Sequence, residues 1–350
     1  TTVRRLLYAY EKVPSVVHQR SLEEAVREIQ ARDWVDRLEG TVEAHMMPIA
    51  RVREACSIPG TSVRTTFLCR DKPAMKEVLR EAGIPCAQST GATSAEEVRA
   101  FAKEVGYPLI LKPSDAAGAA GTYRADNDEE LETAIRDTMV DRGKPTAVEE
   151  FVDGHEAFYD TLTANGEVVH DFISHYYPNV LEAMRARWIS PQIITTTRVE
   201  ADSYEEVRAL GKRVIEVLGI ETSATHMEWF FGPKGLKYSE IGSRPPGVQV
   251  WDIYGAANDI DVYTEWAKLI VRGKTDARCS RAYAAGMIAL RPDGDGRITG
   301  YEGLDEVRES LGDVIYDMHM PPPGSGTQGV EGGYMANAWM RLRHPDYDEL

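Results

Sequence analysis

The chain has 350 residues, of which 43% are hydrophobic, and a formal net charge of −16 from 40 basic and 56 acidic side chains. This length suits two or three domains with a sizeable core. The acidic balance argues against nucleic-acid binding, because such proteins normally present a basic field. No apolar run approaches the roughly 18 residues that span a bilayer, so no membrane partner is expected.

The first 140 residues carry mainly helical signals. Ser21 with Glu24 and Ser94 with Glu97 are spaced as capping boxes, which predict where two of the helices begin. A strand is predicted over 108–114, and a glycine-containing loop follows it. The predicted helices span 21–39, 70–83, 93–106 and 126–139.

Strand signals increase after residue 145, which makes the chain α+β in parts. Asn165-Gly166 predicts a tight turn between two strands. The stretch 176–198 is irregular, and we place soft domain boundaries near residues 65 and 275. The predicted strands span 146–152, 156–164, 167–174, 224–231 and 236–241, and the predicted helices span 203–219, 258–272 and 304–311.

The cysteines and the first residues bear on the compartment. Cys56, Cys69, Cys86 and Cys279 form no CxxC pair, so we interpret them as small apolar core residues in a reducing cytosol. Residues 1–20 lack the continuous apolar segment of a signal peptide. They also lack a clean first strand and helix, which indicates a sequence trimmed at its start. A cytoplasmic location is expected.

Lys112 lies at the end of a predicted strand, directly before the loop SDAAGAAGTY. This arrangement is not a Walker A loop, because no GK[ST] follows the glycines, and it is not a dinucleotide fingerprint, because GxGxxG is absent. A strand lysine followed by a flexible glycine loop therefore indicates a different kind of phosphate site.

A predicted hairpin over 225–247 carries two candidate metal ligands. A three-residue loop with a glycine bulge would place Gly232 opposite Leu236 and Glu228 directly opposite Glu240. Facing carboxylates repel, and a hard cation such as Mg²⁺ would compensate. The alternative is a pair of solvent-facing glutamates on an edge hairpin. Arg244, in a loop stiffened by prolines, would suit a clamp on a transferring phosphate.

Strand alternation predicts the two faces of this hairpin. The first set shares the metal face, and the second set forms the core face. The metal face comprises His226, Glu228, Phe230, Tyr238 and Glu240, and the core face comprises Met227, Trp229, Phe231 and Ile241.

These motifs occur in an order that resembles the ATP-grasp superfamily of carboxylate–amine and carboxylate–thiol ligases, which includes D-alanine–D-alanine ligase, biotin carboxylase and bacterial L-amino acid ligases. The resemblance covers about residues 65–275. It implies an α+β or α/β chain in which ATP lies between two α+β subdomains. The implied parts are a pre-ATP-grasp α/β portion (1–65), a small lid (66–150), a large subdomain (151–275) and an extension (276–350) that packs on the large subdomain or forms a homodimer contact.

The resemblance also implies a role for each matched position. Lys72, Lys112 and Arg244 would act on the phosphates, and Glu228 and Glu240 would bind Mg²⁺, for which Mn²⁺ can substitute. The implied nucleotide ligands are Lys72, Lys112, Ser114, Gly118, Gly121 and Thr122 for the phosphates, Glu149, Glu150, Phe151 and Val152 for adenine, and Glu156 for ribose.

One position departs from the family pattern. Many members carry an Asn two residues after the second metal glutamate, and this chain has Gly242. The departure puts the coordination of a second metal ion in doubt. His226 and Trp251 are candidate substrate contacts, with a polar strand residue and a core tryptophan as the respective alternatives.

The implied reaction activates a small-molecule carboxylate as an acyl phosphate and joins it to an amine, releasing ADP and phosphate. Two alternatives stay open at this point. One is a related ligase with a purine-intermediate, bicarbonate or thiol acceptor, and the other is a nucleotide-binding protein without ligase turnover.

Overall fold

A computed structural model describes residues 5–113 and 121–350. It contains eleven α-helices in those residues, together with two sheets. In chain order the helices are α1 Gln19–Gln30, α2 Glu43–Ala55, α3 Val63–Leu68, α4 Lys72–Glu81, α5 Ala95–Val105, α6 Asp128–Thr138, α7 Val180–Arg185, α8 Glu205–Leu218, α9 Val250–Asn258, α10 Val262–Arg272 and α11 Leu304–Leu311. The strands are β1 Ser89–Ala92, β2 Leu109–Pro113, β3 Tyr123–Ala125, β4 Thr146–Glu150, β5 His155–Ala164, β6 Glu167–Tyr177, β7 Gln192–Thr195, β8 Ser223–Gly232, β9 Gly235–Gly242, β10 Ala284–Leu290, β11 Ile315–His319 and β12 Ala338–His344.

The smaller sheet has four antiparallel strands in the order β1-β4-β2-β3. Leu109 and Leu111 of β2 are fully buried in a core with residues of α5 and α6. Because side chains alternate along a strand, Ile110 and Lys112 point to the opposite face, where they line a cavity. The strand thus presents its lysine on the face away from its own helices.

The larger sheet has eight antiparallel strands in the order β11-β12-β10-β7-β6-β5-β8-β9. On one face it packs against α4 and α8 through a core that includes Met75, Tyr159 and Val214. On the other face it packs against α9 and α10 through Phe158 and Tyr254. The sheet is therefore the middle layer of the larger half, and the candidate metal strands β8 and β9 lie at one edge.

The tail belongs to the larger sheet. Strand β10 pairs with β7, and β12 pairs with β10, so the three tail strands continue the sheet that β5, β6 and β8 begin. Among the described residues from 5 to 65 there are helices and no strand, so the α/β character predicted for this portion is not seen there. The division into four parts stays a prediction.

Five of the predicted helices agree with α4, α5, α6, α8 and α11, and the capping box of Ser94 and Glu97 is present. The helix predicted over 21–39 is present as α1, but its predicted bounds and its capping box were wrong. Helix α1 begins after His18 and ends at Gln30, so Ser21 and Glu24 lie inside it and do not cap it. The helix predicted over 258–272 begins at Val262, because Asp259 adopts a left-handed backbone that ends α9 and Asp261 then caps α10.

The described residues contain no helix with the length and apolar character that crossing a membrane requires. All four cysteines are free. Three of them, Cys56, Cys69 and Cys86, are buried, and Cys279 is partly exposed. The burial of those three agrees with their interpretation as small core residues.

Candidate functional site

A cavity lies where the two sheets meet, and most of the predicted nucleotide residues line it. It receives side chains from α4, β2 and β4 on one side and from β5, β8 and β9 on the other. The predicted residues that line it are Lys72, Lys112, Thr122, Glu149, Glu150, Phe151, Val152, Glu156, Glu228 and Glu240. Phe230, predicted for the metal face of the hairpin, also lines it, and Lys76, Asn179, Val180 and Ser239 line it without having been predicted.

Lys72 is the first residue of α4, and Asp71 caps this helix by accepting a hydrogen bond from the Ala74 amide. The Lys72 ammonium contacts Oε2 of Glu240. Burial disfavours this ammonium, but the attraction of Glu240 and then Glu149 outweighs it and raises the pKa of Lys72. The cap thus fixes a charged lysine next to one of the candidate metal ligands.

Glu149 connects two further lysines. Its carboxylate lies 2.9 Å from Nζ of Lys76 and 3.4 Å from Nζ of Lys112. Burial opposes the charge on this carboxylate, but Lys112 and Lys76 outweigh it and lower the pKa of Glu149. Burial lowers the pKa of Lys76. The Glu149 side chain is therefore engaged in holding the lysines of the cavity, a role that differs from the adenine contact predicted for it.

Lys76 was missed by the sequence reasoning, although a signal was present. It lies four residues after Lys72, so both lysines occupy the same face of α4. Only 1% of Lys76 is exposed. Lysines are almost never buried to this degree unless they are paired, and Glu149 is the partner of Lys76.

The hairpin of β8 and β9 places Glu228 directly opposite Glu240, as predicted, but by a different route. The turn is tighter than expected, because Gly232 faces Gly235 and not Leu236. An irregularity between Glu228 and Trp229 then shifts the register by one residue.

Because of this bulge, part of the predicted division of the hairpin into two faces was wrong. Tyr238 was placed on the metal face, yet it pairs with Trp229 and is fully buried in the core with Met227. The bulge is the physical reason, because an extra residue on one strand reverses the alternation beyond it. Phe231, predicted for the core face, is 57% exposed.

Glu156 of β5 lies beside the candidate metal ligands. Its Oε2 accepts a hydrogen bond of 2.6 Å from the Val180 amide. Burial and then the charge of Glu228 raise the pKa of Glu156 to about 8. A carboxyl group with this pKa is partly protonated near neutral pH, so it can donate as well as accept a hydrogen bond at the ribose position predicted for it.

His226 lies behind Glu228. Its Nδ1 is 2.8 Å from Oδ1 of Asp160, and its Nε2 is 3.6 Å from Oε1 of Glu228. Asp160 also accepts a hydrogen bond of 2.7 Å from the Tyr254 hydroxyl of α9. Burial opposes the imidazolium, but Asp160 and Glu228 outweigh it and raise the pKa of His226 to about 10. These contacts orient Glu228 from behind, and His226 does not line the cavity.

Arg244 and Trp251 do not line the cavity either. Nε of Arg244 donates to Oε2 of Glu43, at 2.7 Å, and its Nη1 donates to the Pro245 carbonyl, at 2.8 Å. Trp251 is 4% exposed and packs edge-on against Tyr263 and Trp266, so the structure favours its alternative as a core residue.

The glycine loop and its flanks have a mixed outcome. Ser114 and Gly118 lie outside the described residues. Gly121 has a φ of 69°, a left-handed conformation that suits glycine. Phe151 donates its amide to the Pro108 carbonyl, at 2.9 Å, and its ring lies 4.1 Å from the Arg124 guanidinium. The segment after β4 is thereby attached to the smaller sheet.

The donor set at the hairpin fits a hard cation. Within the described ranges, no group of three or more His, Cys, Asp or Glu side chains is arranged to hold a metal ion. Two opposed carboxylates are nevertheless what Mg²⁺ typically takes from a protein that also supplies nucleotide phosphates. At Gly242, an added Cβ would lie 3.4 Å from Cγ of Arg244, which is an ordinary van der Waals contact, so a Cβ fits there.

Comparisons with known proteins agree with this geometry. Residues 71–167 match the family described as carbamoyl-phosphate synthase L chain, ATP binding domain. The crystal structure of an L-amino acid ligase from Bacillus licheniformis superposes with a TM-score of 0.77 at 19% identity, covering 96% of this chain and 82% of that one. The chain has the ATP-grasp fold, and the resemblance predicted from its motifs is confirmed.

Two curated proteins are similar to this chain in sequence. The uncharacterized protein y4rH of Sinorhizobium fredii is 24% identical over 296 residues, which is 83% of this chain and 60% of that protein. Alanine–anticapsin ligase of Bacillus subtilis is 27% identical over 239 residues, which is 60% of this chain and 49% of the ligase. The matches span about half to three-fifths of the length of these relatives.

Proposed function

We propose that the chain is an ATP-dependent ligase that activates a substrate carboxylate as an acyl phosphate and joins it to an amine. The observation that carries the proposal is the cavity between the sheets, where Lys72 and Lys112 meet the opposed pair Glu228 and Glu240. Cations that neutralise phosphate oxygens and carboxylates that bind Mg²⁺ are the two requirements of phosphoryl transfer from ATP.

The chemistry proceeds in two balanced steps. A carboxylate oxygen of the substrate attacks the γ-phosphorus, and the bond from that phosphorus to the β–γ bridging oxygen breaks, so ADP leaves with the electron pair. The amine nitrogen then attacks the carbonyl carbon, phosphate leaves, and the nitrogen loses a proton to solvent or a base. No protein nucleophile is needed, because the acyl phosphate is a mixed anhydride whose carbonyl carbon is already activated toward the amine.

The charged residues of the cavity have the following roles in this proposal. Lys72 and Lys112 neutralise the nucleotide phosphates, and Glu149 holds Lys112 and Lys76 in place before ATP binds. Glu228 and Glu240 would hold Mg²⁺, which when bound neutralises the phosphate charge that builds during transfer. Glu156 would bind the ribose hydroxyls, and the backbone of residues 149–152 would read adenine.

Arg244 is assigned to the transferring phosphate in this proposal. Its guanidinium is held by Glu43 of α2, so reaching the cavity would require exchange of that ion pair for the phosphate. The exchange would not leave Glu43 without a cationic partner, because Nε of Arg70 lies 3.0 Å from its Oε1.

The relatives narrow the substrate class. Alanine–anticapsin ligase and L-amino acid ligase are named for amino acid substrates. We propose an amino acid as the carboxylate partner of this chain and a second small amine as the acceptor.

The acyl phosphate can be tested directly. Protein, ATP and Mg²⁺ are incubated with pooled amino acids and hydroxylamine, which converts an acyl phosphate to a hydroxamate that gives a coloured iron complex. We expect hydroxamate that requires both ATP and a carboxylate. ATP hydrolysis stimulated by bicarbonate or a thiol, without hydroxamate, would instead favour another acceptor class. ATP binding without any turnover would favour a non-catalytic site, and Gly242→Asn would be the next variant.

A further inference from the structure

The loop that carries Arg244 is held in a conformation that costs free energy. Two consecutive residues at its end, Val248 and Gln249, have φ values of 51° and 53°. A left-handed backbone is unfavourable for residues with a Cβ and is unusual for a β-branched one. Such a conformation persists only where surrounding contacts hold it in place.

Arg341 of β12 supplies that contact. Its Nη2 donates a hydrogen bond to the side-chain oxygen of Gln249. Its Nη1 donates to Oδ2 of Asp317, at 2.9 Å, and its guanidinium lies 4.3 Å from the Trp339 ring centroid. Asp252 lies 3.7 Å away, in the first turn of α9. Only 4% of Arg341 is exposed, so this is a built position in which the guanidinium has little freedom.

The other end of the loop is held as well. The Ser243 carbonyl accepts a hydrogen bond of 3.2 Å from Oγ of Ser223. Pro245 and Pro246 lie between the two ends and restrict the backbone there. Between these prolines and Gln249, Gly247 is the permissive backbone position, so a displacement at Gln249 beyond what Gly247 absorbs is expected to reach Arg244.

We propose that Arg341 is a positioning residue for Arg244. Arg341 holds Gln249 and thereby keeps the backbone of the loop 243–249 in its strained conformation. The inference rests on the proposed function, since that function gives Arg244 its role on the phosphate. It assigns the tail a part in the site, although the motifs that identify the family all lie before residue 276.

The first test separates positioning from folding. Gln249→Ala removes the contact, Gln249→Glu keeps an acceptor oxygen at the same reach, and Arg343→Gln is the matched control from the same face of β12. We expect Gln249→Ala to lower the rate of ADP release at saturating ATP by at least about tenfold, with the KM for ATP unchanged within about twofold. Gln249→Glu should keep most of the rate. A wild-type rate in Gln249→Ala, or an equal loss in Arg343→Gln, overturns the proposal.

The second test needs no turnover. Val248→Gly removes the packing of Val248 on the core in both chains, but it relieves left-handed strain only while the loop is held. The change that it causes in the thermal unfolding midpoint should therefore be more favourable in the wild-type chain than in Gln249→Ala. Equal changes in both chains would show that Gln249 does not hold the strain, and would overturn the anchor. A chain that shows this coupling but releases no ADP would reject the proposed function and, with it, the catalytic purpose of the anchor.

Discussion

Glu240 is the residue whose substitution tests the proposed metal site most directly. It faces Glu228 across the hairpin and contacts the Lys72 ammonium. Burial opposes its charge, but Lys72 and then Lys112 outweigh it and lower the pKa of Glu240 to about 2. A carboxylate that stays ionised throughout the physiological range suits a ligand of a divalent cation.

Glu240→Gln is expected to leave the fold intact and to reduce Mg²⁺-dependent ADP release by about 100-fold or more, because metal stabilisation of transferring phosphate is worth several kcal/mol. Steady-state rates over a range of Mg²⁺ concentrations measure the effect, and circular dichroism checks the fold. Glu167→Gln, at an exposed glutamate of β6, is the control. Wild-type turnover in Glu240→Gln would reject the metal assignment.

Glu265 of α10 provides a prediction of pH dependence away from the site. Burial opposes its charge, but hydrogen bonds from Lys268, at 2.7 Å, and from the amides of Ala277 and Asp276, at 3.0 and 2.8 Å, lower its pKa to about 2. A pKa that is lower in the folded chain than the value of about 4.3 expected in an unfolded chain contributes stability above that value, and the contribution is lost as the pH falls towards 2.

Glu265→Gln should therefore lower the free energy of unfolding at pH 7, and the difference from wild type should shrink steadily between pH 5 and pH 2. Urea denaturation at several pH values measures it, with the exposed Glu302→Gln as a control. A difference that is the same at pH 7 and pH 2.5 would mean that the carboxylate charge contributes nothing to stability.

At the scale of the elements, Arg53 attaches the non-helical segment after α1 to helix α2. Its side chain is 2% exposed and donates to the Leu38 carbonyl, at 2.7 Å, the Thr61 carbonyl, at 3.1 Å, and Glu39, at 2.7 Å. Gly60 must be small here, because a Cβ would lie 2.8 Å from Nε of Arg53. Arg53 thus connects α2 to the segment that precedes this helix and to the segment that follows it.

Arg53→Ala should lower the free energy of unfolding by about 3–5 kcal/mol, because it leaves buried carbonyls and a carboxylate unpaired. Equilibrium denaturation measures the loss. Arg51→Ala, on the exposed side of the same helix, should cost under about 0.5 kcal/mol. Similar losses in both variants would contradict the assigned role of Arg53.

The elements also show what local sequence can predict. Helices α4, α5 and α6 are signalled by cap residues directly before them, and those local hydrogen bonds are present. Helix α2 was missed, because Pro48 lies inside it and no side chain caps its start. The bulge that buries Tyr238 has no local signature either, since the pairing of β8 with β9 and the core beneath them select it.

The candidate site divides along the same line. The positions of Lys72, Lys112, Glu228 and Glu240 in the cavity were predictable, because their order and spacing follow the family pattern and the helix and strands that carry them are strongly patterned. The contacts of Arg244 with Glu43, of Arg341 with Gln249 and of His226 with Asp160 were not, because each joins segments that are distant in the chain. Such pairings depend on the packing of whole layers.

At the scale of the molecule, the arrangement explains how two sheets form one cavity, the candidate nucleotide site. The smaller sheet contributes Lys112 and Glu149, the larger contributes Glu156, Glu228 and Glu240, and α4 lies between them with Lys72 and Lys76. Helix α4 packs on the larger sheet through Met75 and Leu79, so its lysines are fixed relative to the candidate metal ligands. Lys112 of the smaller sheet is connected to Lys76 of α4 by the Glu149 carboxylate, which contacts both lysines.

ADP release from ATP and Mg²⁺ in the presence of amino acids, with and without a second amine, tests most directly whether the chain is a ligase. We expect release that requires a carboxylate, increases when the amine is added, and is lost in Lys112→Met. Release that is independent of any carboxylate, or that persists unchanged in Lys112→Met, would contradict a ligase acting in this cavity.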